Sequence, residues 1–111
     1  MILKEVCVDN INDAINAYEC GANRIEFCSN LDQDGLTPKI DELLTLSNTI
    51  DIPIRCMLRP HSNSFRYDEN DLKKIEKTIN FCKKIKIDGV VFGSLNYENE
   101  IDFDILKYIS K

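Results

Sequence analysis

Three of the four short strand-like runs in this 111-residue chain carry charge at alternate positions, and that pattern limits the fold more than any other feature. The runs are residues 2–8, with Glu5; residues 24–28, with Arg24 and Glu26; and residues 53–59, with Arg55 and Arg59. Successive side chains of a strand point to opposite faces, so the named charges fall on one face of each run, although in the first run Lys4 joins Ile2, Val6 and Val8 on the other. The fourth run, Gly89-Val90-Val91-Phe92-Gly93, is uncharged. Between the runs, apolar residues recur at helical spacing: Ile11, Ala14, Ile15 and Tyr18; then Ile40, Leu43, Leu44 and Leu46; then Leu72, Ile75, Ile79, Phe81 and Cys82. A last periodic segment covers residues 101–110.

Strands that alternate with helices imply a parallel sheet with right-handed crossovers. A doubly wound sheet is buried on both faces, so its strands should be almost wholly apolar. Charge on one face suits the interior of a TIM-type (β/α) barrel, where neighbouring strands can pair opposite charges. An eight-stranded barrel needs roughly 200 residues or more, and this chain supplies four βα units. The expectation is a single partial barrel domain over residues 1–111, a half-barrel. In it, Val6, Ile25, Phe27, Ile54, Leu58 and one of Val90 and Phe92 should face the helices.

Local signals agree with this division. Asp9 or Asn10 can cap the first helix, and Gly21 stops it. Thr37 is placed to cap the second helix, with Pro38 in its first turn. Pro53 opens the third strand and Pro60 closes it.

The net charge of −5 and the isoelectric point near 4.8 argue against a nucleic-acid surface, which should be basic. No apolar run approaches the ~20 residues of a membrane span, and no signal peptide is evident, so the expected location is the cytoplasm. The five cysteines stand at positions 7, 20, 28, 56 and 82, without a C-x-x-C pair. An odd count without secretion signals speaks against a disulfide framework, and a single histidine, His61, speaks against a Cys/His zinc site.

Two constellations can carry chemistry. Cys7 and Cys28 end adjacent strands on the face of Glu5 and Glu26, and strands ~4.8 Å apart bring neighbouring thiols within reach of one soft ion such as Cu(I). The alternative is two buried cysteines acting as small hydrophobes. Glu5, Glu26, Arg55 and Arg59 form the second set. They read either as an acid/base pair with an anion-binding arginine, or as an ion-pair network filling the barrel. Arg59, at a C-terminal strand tip where barrel sites lie, is the better functional candidate, with Glu26 as its catalytic counterpart. Asn30 and Thr37 flank the loop at the same mouth, and read either as part of it or as a turn and a cap. Phe65 and Tyr67 are placed to pack across the next loop. Cys20, Cys56 and Cys82 fall on apolar faces and are expected in the core. His61 is expected to be exposed, near enough to the mouth to remain a candidate ligand.

The residues also resemble a known family. Glu5-Val6-Cys7-Val8-Asp9, Gly21-Ala22-Asn23-Arg24-Ile25-Glu26-Phe27-Cys28-Ser29-Asn30, Gly35-Leu36-Thr37-Pro38, Met57-Leu58-Arg59-Pro60, Phe65-Arg66-Tyr67 and Asp88-Gly89-Val90-Val91-Phe92-Gly93 are similar to motifs of the CutC, or copper homeostasis, proteins, in the same order. The resemblance implies a TIM-like barrel, a cytoplasmic location and a Cu(I)-binding role, without an established enzymatic activity. The chain departs from the family at His61-Ser62-Asn63-Ser64, where a glycine-rich acidic segment is usual. The family's chains also run on through further βα units.

Three readings follow: a Cu(I)-binding protein with Cys7 and Cys28 as ligands, a barrel enzyme on a small anionic substrate using Glu26 and Arg59, or a non-functional truncated fragment. A half-barrel with two open edges is further expected either to form homo-oligomers or to be only marginally stable.

Overall fold

A computed structural model describes residues 2–110. The strands are β1 (Glu5–Val8), β2 (Arg24–Phe27), β3 (Ile54–Leu58) and β4 (Gly89–Phe92). The helices are α1 (Ile11–Glu19), α2 (Ile40–Ser47), α3 (Glu69–Cys82) and α4 (Phe103–Ile109). The strands lie side by side in chain order, β1-β2-β3-β4, all parallel. A doubly wound sheet would reverse that order at a switch point. Sequential order with one buried face is the wall of a (β/α) barrel, and here it comprises four strands.

The register divides the faces as alternation demands. Val8, Phe27, Cys56 and Val90 align in one row, with Val6, Ile25 and Ile54 in the row below and Leu58 beside Phe92 above. Ile25, Phe27, Ile54 and Leu58 are fully buried, in one core with Ala14 of α1, Leu43 and Leu46 of α2, and Ile75 and Cys82 of α3. Val6, on the edge strand, is partly covered. On β4 it is Phe92 that joins the core, while Val90 stays 37% exposed beside the open edge. The opposite face aligns Cys7, Glu26, Arg55 and Gly89, with Glu5 beside Arg24 and Met57 beside Val91. None of these residues belongs to the apolar cluster.

Helix ends follow from named residues. The Asn10 side chain accepts the Asp13 N–H at 2.8 Å and so caps α1. At the other end Gly21 takes a φ of +99°, and its N–H and that of Ala22 reach back to the carbonyls of Tyr18 and Ala17. Both are the bonds of a glycine-closed helix terminus. This closure leaves Cys20 exposed at the C-cap, so the expectation of a core position for it fails. An Asn10→Ala substitution should cost about 1 kcal/mol of stability, read as a lowered urea midpoint at unchanged slope.

Helix α2 starts later than expected. Its N-cap is Lys39, without a side-chain bond, and Thr37-Pro38 lie outside it. Thr37 is engaged elsewhere: its hydroxyl accepts the Arg59 N–H and its own N–H donates to the Arg59 carbonyl, both at 2.9 Å. Strand β1 is likewise shorter than residues 2–8, since Ile2 to Lys4 lie outside the ladder.

Candidate functional site

The tips of β1 and β2 meet at two thiols. Cys7 sits opposite Glu26 in the register, so Cys28 stands two residues further along its strand. The stagger is taken up by the side chains, and the two Sγ atoms come to 3.9 Å. Cys28 is completely buried and its thiol points to the Val8 carbonyl at 3.4 Å, whereas Cys7 is exposed. One sulfur is thus held by the fold, and the other can move.

Burial of Cys28 comes from the loop after β2. Asn30 and Asp34 take left-handed conformations around a 3-10 turn at Leu31–Gln33, and Gly35 follows with a φ of +91°. A Cβ on Gly35 would lie 3.4 Å from the Cys28 Sγ, so glycine there answers both the backbone and the space above the thiol. The Asp9 carboxylate accepts the Leu31 N–H at 3.1 Å and ties this loop to the end of β1. Asn30 is therefore a turn residue, exposed and with no side-chain cap bond.

Acidic groups surround the pair. Burial pushes the Cys28 thiol up to about 12, with the neighbouring Cys7, Asp9 and Glu26 adding to the shift. Cys7 is also raised, chiefly by burial, against its hydrogen bond with Cys28, and then by Glu26, Glu5 and Asp9. Burial and the adjacent Glu5 raise the Glu26 carboxyl as well. At neutral pH the pair is thus two neutral thiols in a negative field, which attracts a cation but resists loss of the thiol protons.

The other charged residues separate. Glu5 pairs with Arg24 at 2.6 Å, and Arg55 turns to Asp88 at 3.4 Å instead of the cross-strand Glu26. Arg55 lies over Gly89, where any Cβ would collide with its guanidinium. Glu5 and Arg55 thus each sit in an ion pair, but with Arg24 and Asp88 at partly exposed positions and not with each other or with Glu26 and Arg59, so the two pairs are not a network filling the barrel. Among the described residues Arg59 makes no ion pair with Glu26. It is 8% exposed, donates from one terminal nitrogen to the Gln33 carbonyl at 3.1 Å, and stacks over the Phe65 ring at 4.4 Å.

His61 is half-buried, not exposed. Its Nε2 faces the Asp71 carboxylate at 3.1 Å and its Nδ1 accepts the Asn63 N–H at 3.2 Å, which leaves neither nitrogen free to ligate. Asp71 also completes a capping box with Asp68 at the start of α3, and nothing in the spacing had singled it out. Cys56 and Cys82 are buried in the core as expected. The Cys82 thiol beside it and burial both push the Cys56 thiol up, which makes it a poor nucleophile.

Among the described residues no cluster of three or more histidine, cysteine or acidic side chains can hold a metal ion. Any ion at the thiol pair would take two sulfurs. With metal–sulfur bonds of ~2.3 Å, as for zinc, an in-line pair spans ~4.6 Å, so the observed separation is about 0.7 Å short. Rotation of the exposed Cys7 side chain can supply that. Two soft donors with no oxygen or nitrogen partner suit Cu(I) better than harder ions.

Residues 2–111 match the CutC family model. The chain is 42% identical to the copper homeostasis protein cutC homolog of Drosophila melanogaster over 106 residues, which is 95% of this chain and 40% of that protein. It is 37% identical to the human copper homeostasis protein cutC homolog over 103 residues, or 93% of this chain and 38% of that one. A crystal structure of CutC from Streptococcus agalactiae superposes with a TM-score of 0.91 at 28% identity, covering 98% of this chain and 53% of that one. The chain spans about two fifths of the length of these curated relatives.

Proposed function

The chain belongs to the CutC family, and on that premise we propose that it binds one Cu(I) ion between Cys7 and Cys28 and takes part in copper homeostasis in the cytoplasm. The observation that carries this reading is the 3.9 Å approach of one anchored and one exposed thiol at the strand tips. Carboxylates of Glu5, Asp9 and Glu26 draw a cation toward the pair, and burial of Cys28 shields the bound sulfur from solvent. The ion is cargo here; no catalytic step is assigned to it. No helix among the described residues is long and apolar enough to cross a membrane. Self-association of the half-barrel through its open edges is part of the same proposal.

The test is anaerobic Cu(I) titration against a competing chelator, for the parent chain and for Cys7→Ser/Cys28→Ser. The parent should bind one equivalent and the double variant should lose it, with an affinity at least about a hundredfold weaker. Equal affinity in the two proteins would eliminate the thiol pair as the site.

A further inference from the structure

We infer that the mouth of the barrel between β3 and β4 is a binding site for a small carboxylate with a short apolar stem, held by Arg59 Nε and the Tyr67 hydroxyl. Arg59 is more than nine-tenths buried, and its position is over-determined. Both backbone polar groups are bonded to Thr37, whose carbonyl is in turn tied to the Ser29 hydroxyl at 2.8 Å. The guanidinium is fixed by the Gln33 carbonyl and the Phe65 ring. Its Nε is nevertheless buried with no protein acceptor, and no carboxylate among the described residues lies within ion-pair distance of it. A buried cation without a counter-charge is costly, and an anion in the adjoining space removes that cost.

The space exists. A cavity of about 220 Å³ is bounded by Arg59 and Tyr67 together with Met57, Phe65, Val91 and Phe92. The Tyr67 ring is wedged between His61, at 5.4 Å, and Phe92, at 5.8 Å, and its hydroxyl is the second buried group without a protein partner. Burial and nearby Asp71 keep this phenol protonated against the pull of Arg59, so it serves as a donor. The guanidinium balances a single negative charge, and the hydroxyl adds one neutral donor. Arg66 does not line this cavity, its guanidinium being held away by the Asn96 carbonyl at 3.0 Å and by Asn99, so a phosphate dianion would find no second cation in the wall. The remaining wall is apolar and matches a hydrocarbon stem.

This site is separate from the thiol pair, and its failure would leave the copper reading untouched. The test is NMR titration of the arginine Nε–H signals of the 111-residue chain with sodium propionate, propionamide and inorganic phosphate at constant ionic strength. Propionate should shift one Nε–H signal downfield saturably, whereas propionamide should not. Tyr67→Phe, which removes only the hydroxyl, should weaken propionate about five- to tenfold, the loss of one buried hydrogen bond. Arg59→Lys should abolish saturation and identify the signal. Equal responses to propionate and propionamide would overturn the inference, as would undiminished affinity in Tyr67→Phe. Saturable binding of phosphate in place of propionate would overturn the assignment to a carboxylate.

Discussion

Raising the pH from about 6 to about 8 should tighten Cu(I) binding by this chain roughly ten-thousandfold. Thiolate, not thiol, is the ligand, and both thiols titrate above that window: Cys28 is pushed up to about 12 and Cys7 lies above its ordinary value of 9.0. Each Cu(I) bound must therefore displace two protons, and each pH unit should change the apparent constant about a hundredfold. The sign is fixed by the same fact: protons compete with the ion, so affinity falls as pH falls. Chelator competition at several pH values, corrected for the chelator's own protonation, gives the slope directly. A slope near one would mean that a single thiol holds the ion, and a slope near zero would remove both cysteines from the site. The separate pull of Glu5, Asp9 and Glu26 should appear as weaker binding at high salt, because screening reduces the attraction of exposed carboxylates for a cation.

The paired thiols were readable from the sequence because both ends of the argument are local. Alternation puts Cys7 on the face of Glu5, and parallel pairing of consecutive strands puts Cys28 near it. What alternation could not show is that Cys28 would be sealed. That depends on two left-handed turn residues and Gly35 folding the following loop over it, a tertiary event with no period. The same limit explains Thr37. Its position before a proline satisfied the rules for a helix cap, yet a bond to the end of β3 drew the side chain away and α2 began at Ile40.

Glu26 is the register neighbour of Arg55 on β2. Asp88 won the contact, because it precedes Gly89, the residue aligned with Arg55 on the other side. Side chains as long as arginine choose among neighbours on both flanking strands, and the register alone does not rank them. The locking of His61 by Asp71 and the unpaired Tyr67 hydroxyl arise in the loop of residues 61–68, which also covers Arg59 with Phe65. The loop's conformation is set by contacts with α3 and with the segment after β4, not by propensity.

The isolated chain should sediment as a dimer whose unfolding midpoint rises with concentration. Strands β1 and β4 each pair with a single neighbour, so each presents one unpaired edge. Exposed apolar groups accompany both edge strands: Ile2 at 85% and Leu3 at 62% in the segment leading into β1, and Val90 at 37% on β4. A two-fold axis along the barrel axis would set β4 of one copy beside β1 of the other, twice, with every strand parallel. Such an arrangement is isologous and closed, so it would not run on into a fibre. It would also enclose the polar face bearing Glu5, Glu26 and Arg55, where a lone half-barrel exposes it. Because folding would be coupled to association, each tenfold rise in protein concentration should add about 1.4 kcal/mol to the stability of the dimer. Sedimentation equilibrium and urea unfolding over a hundredfold concentration range test this. A monomer with a cooperative, concentration-independent transition would show instead that four βα units make a self-sufficient fold, with the core of Ala14, Phe27, Leu43, Leu46 and Ile75 enough to hold the sheet.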